Sequence, residues 1–194
     1  MRLIASLSLA ACLIAPVLIA GPALAQPADA TALMAAQREA MKPLAWMQGR
    51  WSGEALATTP AGQHKLLQTE RAGPMLGGTV MVVEGKGFDP VSKAEGFNAM
   101  GIISYDPTAK AYTFTRFAQG RRGVFPMEVT VDGFAWSIPA GPMKLRYVAT
   151  YAAGTWKETG EMIRPDGVAT PMFEMTVRRV GNSDWPAAGG AVAP

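Results

Sequence analysis

Phe125, Met127, Val129 and Val131 alternate with Glu128, Thr130 and Asp132, and this period of two recurs, broken by Gly, Pro, Asp and Asn, from Trp51 to about residue 180. Side chains that alternate in this way stand on opposite faces of a strand, whereas an amphipathic helix would repeat every three to four residues. Ten segments carry the pattern, near 51–58, 64–72, 78–87, 97–105, 110–118, 123–131, 134–138, 143–152, 155–164 and 168–180. Between them lie Thr59-Pro60-Ala61-Gly62, Asp89-Pro90, Tyr105-Asp106-Pro107, Gln119-Gly120, Asp132-Gly133, Ala153-Gly154 and Pro165-Asp166-Gly167. These are residues that turn a chain by mechanism: Gly accepts positive φ, Pro presets φ, and Asp bonds its own backbone two residues on. Connections this short join neighbours antiparallel. A meander of that length removes its two exposed edges by closing on itself, with a two-layer sandwich as the alternative. The chain is therefore read as all-β, a single antiparallel up-and-down β-barrel of about ten strands.

The N-terminal residues do not belong to that pattern. Arg2 is followed by LIASLSLAACLIAPVLIA and then by the small-residue triplet Ala23-Leu24-Ala25, the arrangement of a secretory signal over 1–25 with cleavage before Gln26. Leu9-Ala10-Ala11-Cys12 is similar to a bacterial lipobox, so a lipid-anchored form through Cys12 stands as a minor alternative to a free protein in the periplasm. Residues 26–44, rich in Ala, Gln, Met and Glu between Pro27 and Pro43, form a lead-in helix with too ragged an apolar stripe to stand alone. The barrel occupies 45–181, and 182–194, mostly Pro, Gly and Ala around Trp185, is expected to be disordered.

Composition excludes several chemistries. Cys12 is the only cysteine and His64 the only histidine, so the mature chain has no disulfide, thiol nucleophile or multi-histidine metal site. No serine sits in a G-x-S-x-G elbow, and Gly77-Gly78 and Gly85-Lys86-Gly87 have no helix after them to make a phosphate cradle. The net charge of +3 is scattered apart from Arg121-Arg122 and Arg178-Arg179, which is no footprint for nucleic acid, and no span for a membrane follows the signal.

Gly49-Arg50-Trp51, a G-x-W opening the first strand after a helical lead-in, resembles the signature of lipocalins and the wider calycin group. Leu44 to Gly53, Thr69-Glu70, Gly77-Gly78 and Gly101 to Asp106 together resemble the small lipocalin-like domains of unknown function in exported bacterial proteins, related in form to the nitrobindins. The resemblance implies that Trp51 closes one end of the barrel, with Trp46 as a lid, and that Arg178 or Arg179 packs over the indole. Nitrobindins hold haem through a histidine near the C-terminal strands. This chain has none there, so no cofactor is expected, and haem through His64 or a methionine is an outlying alternative.

A barrel of this size leaves room for a small molecule unless side chains fill it. The candidates to line the lumen are Tyr105, Tyr112, Phe114, Arg116, Phe125, Met127, Arg146, Tyr147 and Trp156. One bulge reverses every inward assignment after it, so these are a set from which the fold selects. Arginines facing inward would need partners: a ligand carboxylate, as in fatty-acid-binding barrels, or Glu70, Glu84, Glu128 or Glu174. Glu70 with Glu84 is also a carboxylate pair able in principle to do acid–base work. The leading expectation is an exported barrel that binds a small hydrophobic or amphipathic molecule without catalysis. The rivals are an envelope protein-interaction module with a filled barrel, and a lipocalin-like enzyme or haem-binding barrel.

Overall fold

A computed structural model describes residues 29–185; the expected signal segment, the lipobox-like stretch at Cys12 and the residues from 186 onward lie outside the described residues. Helix α1 (Ala30–Met41) runs into a 3-10 helix (Lys42–Met47) and then into ten strands. These are β1 (Gly49–Thr59), β2 (Gly62–Met75), β3 (Val80–Phe88), β4 (Glu95–Asp106), β5 (Ala111–Ala118), β6 (Arg121–Thr130), β7 (Gly133–Ala140), β8 (Met143–Ala152), β9 (Thr155–Ile163) and β10 (Ala169–Gly181). Each strand pairs antiparallel with the next, and β10 returns to pair with β1, so the sheet is a closed barrel with no free edge.

The turns follow from their residues. Gln119-Gly120 and Ala153-Gly154 take φ values of 50 and 75, and of 49 and 74, the double left-handed conformation that a two-residue hairpin requires. Closure depends on Gly53. A Cβ on Gly53 would lie 2.1 Å from the Thr176 carbonyl oxygen of β10, and one on Gly49 would lie 2.6 Å from Arg179 Nε. At Gly53 the obstacle would be the β10 backbone itself, so a side chain there would hold β1 and β10 apart, whereas at Gly49 it would displace the Arg179 side chain.

Residues in register across strands share a face, and on the inner face they form a belt. Ile103 faces Phe114, Phe114 faces Phe125, Met127 faces Trp136, and Trp136 faces Tyr147. Val177 faces Trp156 on the other side.

One end of the barrel is plugged. The 3-10 helix buries Leu44 and Met47 completely, and Trp51 is 1% exposed beneath it. The Trp51 indole N–H donates to the Met47 carbonyl at 2.8 Å. Around Trp51 stand the edges of Trp46, Tyr151 and Trp156 at 6.4, 6.0 and 5.8 Å between centroids, all near perpendicular. Trp46 lies flat on Tyr151 at 5.0 Å and meets Trp156 edge-on at 5.3 Å. Helix α1, capped by the Asp29 carboxylate on the Thr31 N–H, is tied over this end by three bonds to strands and turns. Tyr112 donates to the Ala40 carbonyl at 2.7 Å, Gln37 to that of Tyr105 at 3.2 Å, and Arg38 to that of Gly77 at 2.9 Å.

The closing arginine is not where the resemblance implies. Arg178 and Arg179 are both exposed. Arg179 pairs with Trp51 in register across a bulge at Arg50/Trp51, yet its guanidinium bonds Asn182 at 3.2 Å and its Nε lies against Gly49. The physical reason is occupancy: aromatic rings and the 3-10 helix enclose the indole and leave no open face for a cation. Residues 182–185 lie along the outside of β2, where Trp185 stacks on Arg71 at 4.1 Å and Asp184 pairs with the same guanidinium at 3.3 Å.

Candidate functional site

Opposite the plug the barrel opens into a cavity of about 410 Å3. Its position follows from side-chain size. On β1, β3 and β4 the cavity-facing positions include Ala57, Gly85, Ala99 and Gly101, while no residue of β6 contributes to the lining. The aromatic belt of Phe114, Phe125, Trp136 and Tyr147 fills the other side, with Trp136 stacked on Tyr147 at 4.6 Å and set edge-on to Phe114 at 4.8 Å. The void therefore lies where alternate positions carry the smallest side chains.

Of the candidate lumen residues, Phe114, Arg116, Tyr147 and Trp156 line this cavity. Phe125 and Met127 face inward but belong to the packed core beside Trp136, as the filled side of the lumen dictates. Tyr105 and Tyr112 pack against each other at a tilt, 4.8 Å between centroids, at the plugged end, where the Tyr112 hydroxyl is committed to α1. Arg146 is a correction. It is exposed on the outer face, because Tyr147 is the inward residue of that pair and adjacent residues of a strand point to opposite faces. His64 is exposed at the rim of the cavity, its ring bonded to the Thr59 hydroxyl at 3.1 Å.

The cavity wall is mostly apolar and carries one polar cluster built from β2, β5, β8 and β9: Gln68, Glu70, Arg116, Tyr147 and Glu158. Glu70 receives a hydrogen bond from the Gln68 amide at 2.7 Å, and its carboxyl oxygens lie 2.8 Å from where a Cβ on Gly85 would stand. Burial raises its pKa well above the ordinary carboxylate range, with the Gln68 bond pulling the other way and the charges of Glu158 and Glu84 adding to the rise. Burial therefore favours the neutral form of Glu70. Burial likewise pushes Glu158 up to about 7, against the guanidinium of Arg116 and the indole N–H of Trp136, which favour its charged form. Desolvation also raises the Tyr147 phenol, so that hydroxyl remains a donor.

The pairing of Glu70 with Glu84 does not form. Glu84 is on the outer face of β3, in register with Arg71 and ion-paired to it at 2.9 Å, while Glu70 faces Gly85. Glu128 and Glu174 are exposed. The second luminal carboxylate is Glu158, which alternation alone did not single out because Lys157, Thr159 and Glu161 around it read as an ordinary solvated strand. Its signal was the phase of β9: Trp156 and Gly160 are buried, and Glu158 lies between them on the same face.

Arg116 has no carboxylate within 4.0 Å among the described residues. Its guanidinium stands 5.9 Å over the Trp136 ring, a cation–π contact at the long end of the useful range. Among the described residues no group of three or more His, Cys, Asp or Glu could hold a metal ion, and no helix is long and apolar enough to cross a membrane.

No protein-family model matches this chain, and no curated protein matches its sequence. Fourteen chains of known structure do match it. Among them is the crystal structure of Rv2717c from M. tuberculosis, 11% identical, with a TM-score of 0.56 over 72% of this chain and 96% of that one. At that identity the likeness is one of fold alone, in keeping with the closed antiparallel barrel.

Proposed function

We propose that this protein is an exported, lipocalin-like binding barrel that holds one small amphipathic molecule in its lumen, with the apolar body among the aromatic and methionine side chains and an acid head at Arg116. The observation that carries this reading is an arginine with no ion-pair partner facing an apolar cavity of about 410 Å3. A cavity of roughly 300–1,000 Å3 with few, convergent polar groups is the usual form of a small-molecule site. A guanidinium held away from bulk water gains most from a carboxylate that can take two of its N–H groups at once. The lumen is not filled, which speaks against a barrel that serves only as a docking block.

Decanoate and decanol provide the test, since they share a chain and differ in the head. In competition with a fluorescent fatty-acid probe, decanoate is expected to bind the native protein more tightly than decanol. Arg116→Met should weaken decanoate by about 10–100-fold, the equivalent of about 1.5–3 kcal/mol for a charge-assisted bond, and leave decanol nearly unchanged. Equal loss for both heads would contradict the assignment of Arg116.

One observation favours a second reading. Two luminal carboxyls both raised by burial, Glu70 and Glu158, the latter to about 7, are the kind of pair an acid–base enzyme uses. That reading predicts a probe recovered chemically altered from the protein, which mass spectrometry of the extracted ligand would reveal.

A further inference from the structure

The charges in the lumen do not balance for every ligand. Among the described residues Arg116 of β5 is the one cation facing the cavity interior, and Glu70 of β2 and Glu158 of β9 are the two carboxyls. The other groups around Glu158 carry no charge of their own: Tyr147 from β8, Trp136 from β7, Phe173 and Met175 from β10, and Ala57 from β1. His64 stands apart at the rim, and Tyr105 and Tyr112 lie at the plugged end. With Glu70 protonated, as its burial favours, an ionised Glu158 offsets Arg116 and the lumen is neutral overall. A ligand carboxylate would then add an unbalanced charge to an apolar enclosure, which is costly. One proton removes the excess.

We propose that Glu158 is the specificity-determining residue of this site: the lumen takes up a monocarboxylic acid together with one proton, shared between the ligand head and Glu158 in the cavity that Arg116 faces, and turns away heads that carry two negative charges. The inference rests on the luminal acid reading above and adds to it a stoichiometry and a selectivity. It also explains why an acidic side chain, which weakens anion binding when charged, stands in the same lumen as the arginine. Protonated, Glu158 becomes a donor to the ligand head. Ionised, it competes with that head for Arg116.

Calorimetry of decanoate binding in two buffers of different ionisation enthalpy, with decyl phosphate as the dianionic control, tests the proposal on the full native protein. At pH 8 the native protein should take up close to one proton per decanoate, and at pH 6 distinctly less, because Glu158 already holds its proton there. Affinity for decanoate should fall by about tenfold per pH unit above 7. Glu158→Gln should still bind decanoate, with affinity independent of pH between 7 and 9 and no proton uptake, and decyl phosphate should bind the native protein at pH 8 at least tenfold more weakly than decanoate.

Decanoate binding to the native protein without proton uptake at pH 8 would overturn the proposal while leaving the luminal acid site intact. Uptake that persists in Glu158→Gln would assign the proton to the ligand alone and overturn it too. Absence of decanoate binding to both proteins at pH 6 would remove the acid site itself.

Discussion

Replacing Trp51 with alanine is expected to lower the stability of the barrel by about 3–5 kcal/mol, read as a fall in the urea midpoint with little change in slope. The ring is 1% exposed and is touched by three other aromatic rings, so its removal leaves a hole that the rigid end of a closed sheet cannot collapse to fill. The loss also frees the Met47 carbonyl, which now accepts the indole N–H, and so unfastens the 3-10 helix from the mouth it covers. Trp51→Phe separates the two contributions. It keeps most of the aromatic packing and forfeits the hydrogen bond, for an expected cost of about 1–2 kcal/mol. An alanine variant within about 1 kcal/mol of the native protein would show that the plug does not hold the barrel shut.

The second large effect is a dependence on pH with an unusual sign. Glu158 is raised from an ordinary value of 4.5 to about 7 in the folded protein, and Glu70 is raised in the same direction. Between those limits the unfolded chain releases a proton that the folded chain retains, so stability is fully present below about pH 4.5 and declines as pH rises through 7. Glu158→Gln removes that decline. It should stabilise the protein by about 3 kcal/mol at pH 8 and change it little near pH 4.5, because the charged form no longer has to be accommodated in the lumen. Asp89 and Glu95, held below their ordinary values mainly by hydrogen bonds from Ser92 and Asn98, act in the opposite sense at lower pH: what they add is lost as pH falls. Denaturation curves for the native and Glu158→Gln proteins at pH 5 and pH 8 read the difference. A variant no more stable at pH 8 than the native protein would mean that water reaches Glu158 freely.

Most of the wall was legible in the amino-acid sequence because turn chemistry is local. Gln119-Gly120, Ala153-Gly154 and Pro165-Asp166-Gly167 each turn the chain by their own backbone preferences, and the ten strands fall between such turns as expected. Trp51 was legible for a related reason, since its place just after a helical lead-in and at the start of the first strand puts it at an end. What could not be read locally was occupancy. Arg178 and Arg179 had the right position to cap Trp51, but Trp46, Tyr151 and Trp156, which reach it from three other elements, had already enclosed it. Arg146 and Tyr147 could not both face the lumen, and only the phase of β8 across β7 and β9 decides between them. Glu158 was hidden by its polar neighbours, and the void by the fact that Gly85, Ala99 and Gly101 read as ordinary small strand residues until β3 and β4 are laid side by side.

Native mass spectrometry of the protein incubated with decanoic acid, beside a variant in which Ala57 on the cavity wall is replaced by Trp, tests most directly whether the lumen is a receptor. A single bound acid per native chain is expected, with none on Ala57→Trp at the same concentration when circular dichroism shows that variant folded. No adduct on the native protein, or an equal adduct on the folded variant, would contradict the account.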